Sequence, residues 1–211
     1  MKAIIICSGD IKDISIIQNN ITGGDIVICA DGGYRHAEKA GILPNYLIGD
    51  FDSIKVEALN SAVAKGTKVI KHPPEKDQTD AELAVLLAIS LHADEILIFG
   101  ATGSRLDHVI ANIHLLVKGV QAGKKITIVD SNNEITLISA KGHFHSTQDE
   151  IFSLLPMTEV VTGITTSGLK YPLKDGTMEL GAPYGVSNEA ISDEVTIEIS
   201  SGLLLIIRAR D

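Results

Sequence analysis

The chain has 211 residues, 45% of them hydrophobic, and a formal net charge of −9. This length allows one large domain or two small ones with real cores, and the composition excludes a disordered chain. The acid excess speaks against nucleic acid as a partner, which needs basic stripes, and no apolar run reaches the roughly 18 residues that cross a bilayer.

The N-terminal run from Met1 to Cys7 is too short for a secretory signal and reads as a first strand. Cys7 and Cys29 fall in separate apolar runs without metal-ligand spacing, so both are expected to be inert core thiols of a cytoplasmic protein. Residues 3–7 and 25–30 are continuous apolar runs, the pattern of parallel strands covered on both faces. The second run ends in Asp31-Gly32-Gly33, and a helical segment over 34–40 stops at Gly41, which suits a left-handed helix end. Tyr46-Leu47-Ile48 then leads into Gly49-Asp50-Phe51-Asp52-Ser53, and a helix is expected over 54–65, closing at Gly66. Residues 67–71 are strand-like and end at His72-Pro73-Pro74.

Lys76-Asp77-Gln78-Thr79-Asp80 opens a long helix that reaches about residue 92. Thr79 and Glu82 fit a capping box, and Asp80 favours the helix dipole, which leaves Asp77 without a structural reason. Residues 95–99 are another buried run. They enter Gly100-Ala101-Thr102-Gly103-Ser104-Arg105-Leu106-Asp107-His108 and a helix ending near Gly123, and residues 125–129 close the series.

Strands and helices thus alternate over residues 1–131, predicting an α/β domain with a mainly parallel, Rossmann-like sheet. Ligands bind such sheets outside the carboxyl ends of the strands. Asp31, Asp50, Asp52, Asp77, Asp80, Arg105 and Asp107 all follow strand ends, from four different strands. If strand geometry continues through the D-x-D, Asp50 and Asp52 face one way and repel unless water, a proton or a divalent cation intervenes. A D-x-D can equally be a cap from Asp52 or Ser53 with a solvated Asp50. The convergence of acid on one edge favours the cation. Gly100–Gly103 could meet a phosphate but matches neither a Walker A loop nor G-x-G-x-x-G. Arg105 offers a donor fork, or else a plain salt bridge to Asp107.

From Asn132 the pattern changes. Strands are expected over 134–140, 150–155, 159–165, 168–172, 177–180, 194–199 and 203–209. Turn chemistry stands at Asn132-Asn133, Lys141-Gly142, Asp175-Gly176 and Ser201-Gly202. Residues 132–211 therefore read as an all-β sandwich or small barrel, with Gly185–Glu189 as a loop, an edge strand or a ligand contact.

The four motifs, in this order and with this α/β-then-β layout, resemble those of thiamine pyrophosphokinases, and the resemblance covers the whole chain. It implies Mg²⁺-dependent transfer of pyrophosphate from ATP to thiamine, releasing AMP. By that resemblance Asp50, Asp52, Asp77 and Asp80 are metal- and phosphate-site residues, and Asp52, Asp77, Asp80 and Arg105 carry the reaction. ATP would meet Asp31, Gly32, Asp50, Gln78, Thr79, Thr102, Gly103, Arg105, Asp107 and His108. Asp80, Ser187 and Asn188 would meet thiamine. A homodimer is implied, each site combining one subunit's α/β domain with its partner's β domain. Longer eukaryotic relatives place a tryptophan near thiamine; this chain has none. Without the resemblance, a different metal-dependent, nucleotide-using transferase or hydrolase, or a non-catalytic nucleotide or metabolite sensor, would fit the acidic edge.

Overall fold

The computed structural model of the protein describes residues 1–52 and 54–210, so a cap from Ser53 lies outside the described residues. The chain divides into two compact units, Met1–Ser131 and Asn132–Asp211.

The first unit runs β1 (Lys2–Ile6), α1 (Ser15–Asn20), β2 (Ile26–Ala30), α2 (Tyr34–Lys39), β3 (Tyr46–Gly49), α3 (Val56–Ala64), β4 (Lys68–Lys71), α4 (Asp80–Ser90), β5 (Glu95–Phe99), α5 (Leu106–His114), α6 (Leu116–Ala122) and β6 (Lys125–Val129). These strands lie in the order β6-β5-β1-β2-β3-β4, and each adjacent pair is parallel. The central strand β1 hides Ile4, Ile5 and Ile6 completely, each 0% exposed. Coverage on both faces is why its sequence shows no alternation. At the edge, β4 keeps Lys68, Val69 and Lys71 exposed. Because β1 pairs with β2 on one side and β5 on the other, the chain reverses its winding there. Such a switch point opens a crevice between diverging loops.

Three details differ from the sequence reading. Helix α1, after β1, has no counterpart in it. The helix expected from residue 106 to Gly123 is two, broken at Leu115, with Gly123 left-handed at φ 66°. Helix α4 begins at Asp80 with Thr79 as its cap, Thr79 Oγ1 accepting from the Glu82 N–H at 3.1 Å. The reciprocal half of the capping box is replaced, since the Glu82 carboxylate pairs with Lys118 Nζ at 3.1 Å.

The second unit holds β7 (Asn133–Ile138), β8 (Lys141–His145), β9 (Ile151–Pro156), β10 (Val160–Ser167), β11 (Gly176–Glu179), β12 (Asn188–Glu189), β13 (Glu194–Glu198) and β14 (Leu204–Ala209). Two antiparallel sheets result, β12-β9-β14-β7 and β11-β10-β13-β8. The alternation along β9 and β13 turns Phe152, Leu154, Val195 and Ile197 inward. Phe144 and Phe152 meet edge to face at 5.9 Å, a favoured aromatic geometry. Lys141-Gly142, expected as a turn, begins β8 instead, because five cross-strand partners in β13 take up residues 141–145. Residues 168–172 form no strand; only Leu169 bridges, to Ala190. Asn188–Glu189 is the edge strand rather than a loop, paired with Phe152 and Ile151.

Candidate active site

The acidic edge is assembled by local backbone constraint. Asp31 heads a short 3₁₀ turn directly after β2, and its φ of 41° lies in the left-handed region. Gly49, at φ 150°, passes so close that a Cβ there would stand 3.0 Å from the Asp31 Cβ. Only glycine lets β3 end beside Asp31. Phe51 is left-handed too, at φ 64°, which is an outlier for a bulky side chain. Its ring is buried in the core of this unit, and that burial holds the turn.

The strand therefore does not continue through the D-x-D, as the sequence suggested it could. The two carboxylates converge by a turn, in which the Asp52 N–H donates to Asp50 Oδ1 at 3.2 Å. One oxygen from each of Asp31, Asp50 and Asp52 lies within 4.8 Å of the others. Asp50, and after it Asp31, holds the Asp52 carboxyl above the usual aspartate range. A set of hard oxygen donors under mutual repulsion is the donor chemistry of Mg²⁺ or Ca²⁺.

Beside this cluster a cavity of about 660 Å³ opens over the carboxyl ends of β1, β2, β3 and β5, the size of a small-molecule site. It centres on the winding switch. The Gly9 N–H donates to Gly100 O at 2.9 Å, and a Cβ on Gly9 would come 2.3 Å from that oxygen. The close approach of the two loops thus excludes any side chain there. From α2, Arg35 donates to the Ser8 carbonyl, and His36 Nε2 sits 2.8 Å from Gly9 O. Burial keeps His36 below the ordinary histidine range, so the neutral ring donates through Nε2–H.

Asp50, Asp31, Gln78, Thr79, Asp80, Thr102, Gly103, Arg105 and His108 all line this cavity. Asp80 is half-buried, with Lys76 Nζ 2.9 Å from its Oδ1. Asp77 is exposed on the loop before α4, outside the three-carboxylate cluster. Gly32 is buried in the 3₁₀ turn. Arg105 reaches back to Asp107, Nε to Oδ1 at 3.2 Å and a second nitrogen to Oδ2, so the salt-bridge alternative is the one the structure holds. In the second unit Ser187 is exposed with its N–H on Ser153 Oγ. The Asn188 amide is committed to Tyr171, accepting from its N–H at 3.0 Å and donating to its carbonyl at 2.8 Å.

Several lining residues escaped the sequence reading: Ser8, Gly9, Asp10, Arg35 and Lys76. Ser8-Gly9-Asp10 follows the first apolar run just as Asp31-Gly32-Gly33 follows the second, and the same criterion would have found it. Both cysteines are free and buried, as expected. The Cys7 thiol is pushed up to about 12 by burial and then by the Asp80 charge, which rules it out as a nucleophile at neutral pH.

Fold and cavity place the protein among the α/β proteins that bind a ligand at the carboxyl edge of a parallel sheet. Comparison with known proteins narrows this. The model of the thiamin pyrophosphokinase catalytic domain matches residues 17–128, and that of the thiamin pyrophosphokinase vitamin B1 binding domain matches residues 133–204. A thiamine pyrophosphokinase from Bacillus subtilis is 35% identical over 215 residues, covering 100% of each chain. One from Arabidopsis thaliana is 29% identical, covering 84% of this chain and 75% of its own. Among solved structures, thiamine pyrophosphokinase from Bacillus subtilis matches with a TM-score of 0.90 at 32% identity, over 100% of both chains. Thiamin pyrophosphokinase from Geobacillus thermodenitrificans gives 0.87 at 31%, over 100% of this chain and 98% of its own. The chain belongs to the thiamin pyrophosphokinase family, transferases of the kinase class that form thiamine pyrophosphate. No helix among the described residues is long and apolar enough to cross a membrane.

Proposed function

We propose that the first unit binds ATP with Mg²⁺ and that a pyrophosphoryl group passes from ATP to the thiamine hydroxyl, leaving AMP. The observation that carries this reading is the convergence of Asp31, Asp50 and Asp52 within 4.8 Å, beside a cavity of nucleotide size. Asp50 and Asp52 would hold the ion with Asp31, and Asp80 stands near enough to raise Asp52 further. Asp77, exposed on the loop that also carries Gln78 and Thr79, would join them. When bound, Mg²⁺ supplies charge neutralisation for the phosphate oxygens.

The chain's own groups do the rest. Phosphoryl transfer has a loose transition state, so positioning and electrostatics dominate. Arg105 leaves Asp107 for the polyphosphate, whose charge exceeds that of one carboxylate. Arg35 and Lys76, also lining the cavity, offset more of it. Asp80 orients the attacking hydroxyl, with Lys76 holding its carboxylate in place. Thiamine binds at Ser187 and Asn188 of a partner subunit in a homodimer. Tyr171 is exposed, its backbone is bonded to Asn188, and its ring already draws the Lys170 ammonium to 5.7 Å, so that cationic vitamin would compete with Lys170 for an aromatic face where tryptophan is missing.

Incubation with ATP, Mg²⁺ and thiamine tests the reading. Thiamine diphosphate and AMP are expected, and ADP as the primary product would refute it. For the shared site, Asp77→Asn and the Ser187→Ala/Asn188→Ala double variant should each be nearly inactive yet regain activity when co-refolded. No recovery despite subunit exchange would mean that each subunit completes its own site.

A further inference from the structure

The loop between β5 and α5 carries one hydroxyl whose polarity is fixed. Thr102 Oγ1 donates to Asp130 Oδ2 at 2.9 Å, and Asp130 directly follows β6, the parallel neighbour of β5. The loop backbone is held as well. Asn112 Nδ2 donates to Ala101 O at 2.8 Å, and Gly9 binds Gly100 O from the other side. A threonine hydroxyl has one proton and two lone pairs, while an ionised carboxylate only accepts. With its proton given to Asp130, the hydroxyl of Thr102, a residue that lines the cavity, has only acceptor capacity left to offer a ligand. A phosphate oxygen is the wrong occupant for that position; a hydrogen-bond donor is the right one.

Position along the sheet says which part of a nucleotide arrives there. The three-carboxylate cluster follows β2 and β3, whereas β5 lies two strands from β2 and three from β3. At about 4.8 Å per strand the separation is roughly 10–14 Å. A triphosphate held at the acidic cluster and laid along the edge brings its nucleoside end to Thr102, and the long Arg105 side chain, from the same loop, would have to extend back toward the phosphates.

We infer that Thr102 is a specificity-determining residue that accepts a hydrogen bond from the nucleoside, from a ribose hydroxyl or the exocyclic amine, and that Asp130 is the positioning residue that fixes its polarity. The inference rests on ATP being the nucleotide of this cavity. Its test is kcat/KM with ATP, 2′-deoxy-ATP, 3′-deoxy-ATP and ITP, on wild type, Thr102→Val, Thr102→Ser and Asp130→Asn. One neutral hydrogen bond is worth about fivefold. Wild type should disfavour one of the three analogues by about that factor, and which one identifies the donor. Thr102→Val should fall by the same factor with ATP and not at all with that analogue. Thr102→Ser should keep the discrimination, and Asp130→Asn should narrow it. Equal proportional loss on all four nucleotides, or no loss on any, overturns the inference, since a structural role cannot move the ratio. Should Thr102→Val fail to fold, the same ratio is read in Asp130→Asn. Absence of both turnover and calorimetric binding with every nucleotide in wild type would bring down the ATP reading itself, and this inference with it.

Discussion

The two units treat buried and clustered acid in opposite ways. In the second, the Glu150 side chain is 1% exposed and lies between two guanidiniums, 3.0 Å from Arg208 and 3.1 Å from Arg210. Arg208 also pairs with Glu134 at 2.7 Å, donates to His145 O, and lies over the rings of Phe144 and Phe152. In the first unit, Asp31, Asp50 and Asp52 crowd together, and one of them titrates above its ordinary range because of the others. Neutralised charge in a core serves one arrangement of the sheet. Crowded charge at a rim keeps a repulsion that the proposed cation would relieve. The difference separates a scaffold from a site.

The largest expected effect lies on the scaffold side. Removing one partner of a buried ion pair typically costs about 3–5 kcal/mol, and Arg210, more than half exposed, compensates Glu150 only in part once Arg208 is gone. Arg208→Leu should destabilise the second unit by about that much in urea unfolding. Arg208→Leu/Glu150→Leu should recover part of the loss, because the pair then disappears together. A loss for Arg208→Leu no larger than that of an exposed pair would erase the contrast between the units.

Next in size is the site itself. Asp50→Asn and Asp52→Asn should each lower turnover by about 10²-fold, the scale of losing one key electrostatic group. Thermal unfolding without metal should be unchanged or higher, since repulsion is relieved. Mg²⁺ should raise the melting temperature of wild type, less so that of Asp52→Asn, and chelator should reverse the rise. Loss of fold along with activity would place these residues in the scaffold after all.

Exposure, not the number of pairs, should set the size of such effects. Lys141 and Glu198 form an ion pair across β8 and β13 with both side chains about half exposed, at 47% each. Glu198→Gln should cost less than about 1 kcal/mol. A cost matching that of Arg208→Leu would show that the β sheets, and not the burial of Glu150, govern the sensitivity.

The candidate site was legible in the sequence to the extent that its acids follow separate strand-like runs, Asp31 after one, Asp50 and Asp52 after the next and Asp80 after a third. Asp31, Asp50 and Asp80 could be assigned to one sheet edge without knowing the order of strands. What needs that order was not legible. Gly9 and Gly100 are 91 positions apart and meet only because β1 and β5 are neighbours, so the Ser8–Asp10 loop stayed unremarked. The same holds for Asp130 and Thr102. Local chemistry also misleads where cross-strand pairing overrides it: Lys141-Gly142 carries turn residues yet begins a strand, because β13 offers it a full ladder. Asn188–Glu189 is too short for any periodicity.

The smallest expected effect is the pH dependence that the crowding at Asp52 imposes on the empty protein. Asp50, then Asp31, raises the folded-state pKa of Asp52 above the value of about 3.9 for an unfolded chain. Between those two values the folded protein binds more protons than the unfolded one, so stability falls as pH rises through the window. Above the raised pKa the full repulsion is present, and below the unfolded value it is gone. Asp52→Asn removes the titrating group. The variant should therefore be the more stable protein at neutral pH without metal, and its advantage should fade as pH drops through the window. Because Asp52 is exposed and screened by water, the gain is small and should shrink further in high salt. Melting curves of both proteins across this range, with chelator and at two salt concentrations, check it. An advantage that grows toward acid would mean that Asp52 is held below its ordinary range, as a paired structural carboxylate is, and the acidic edge would then belong with the scaffold.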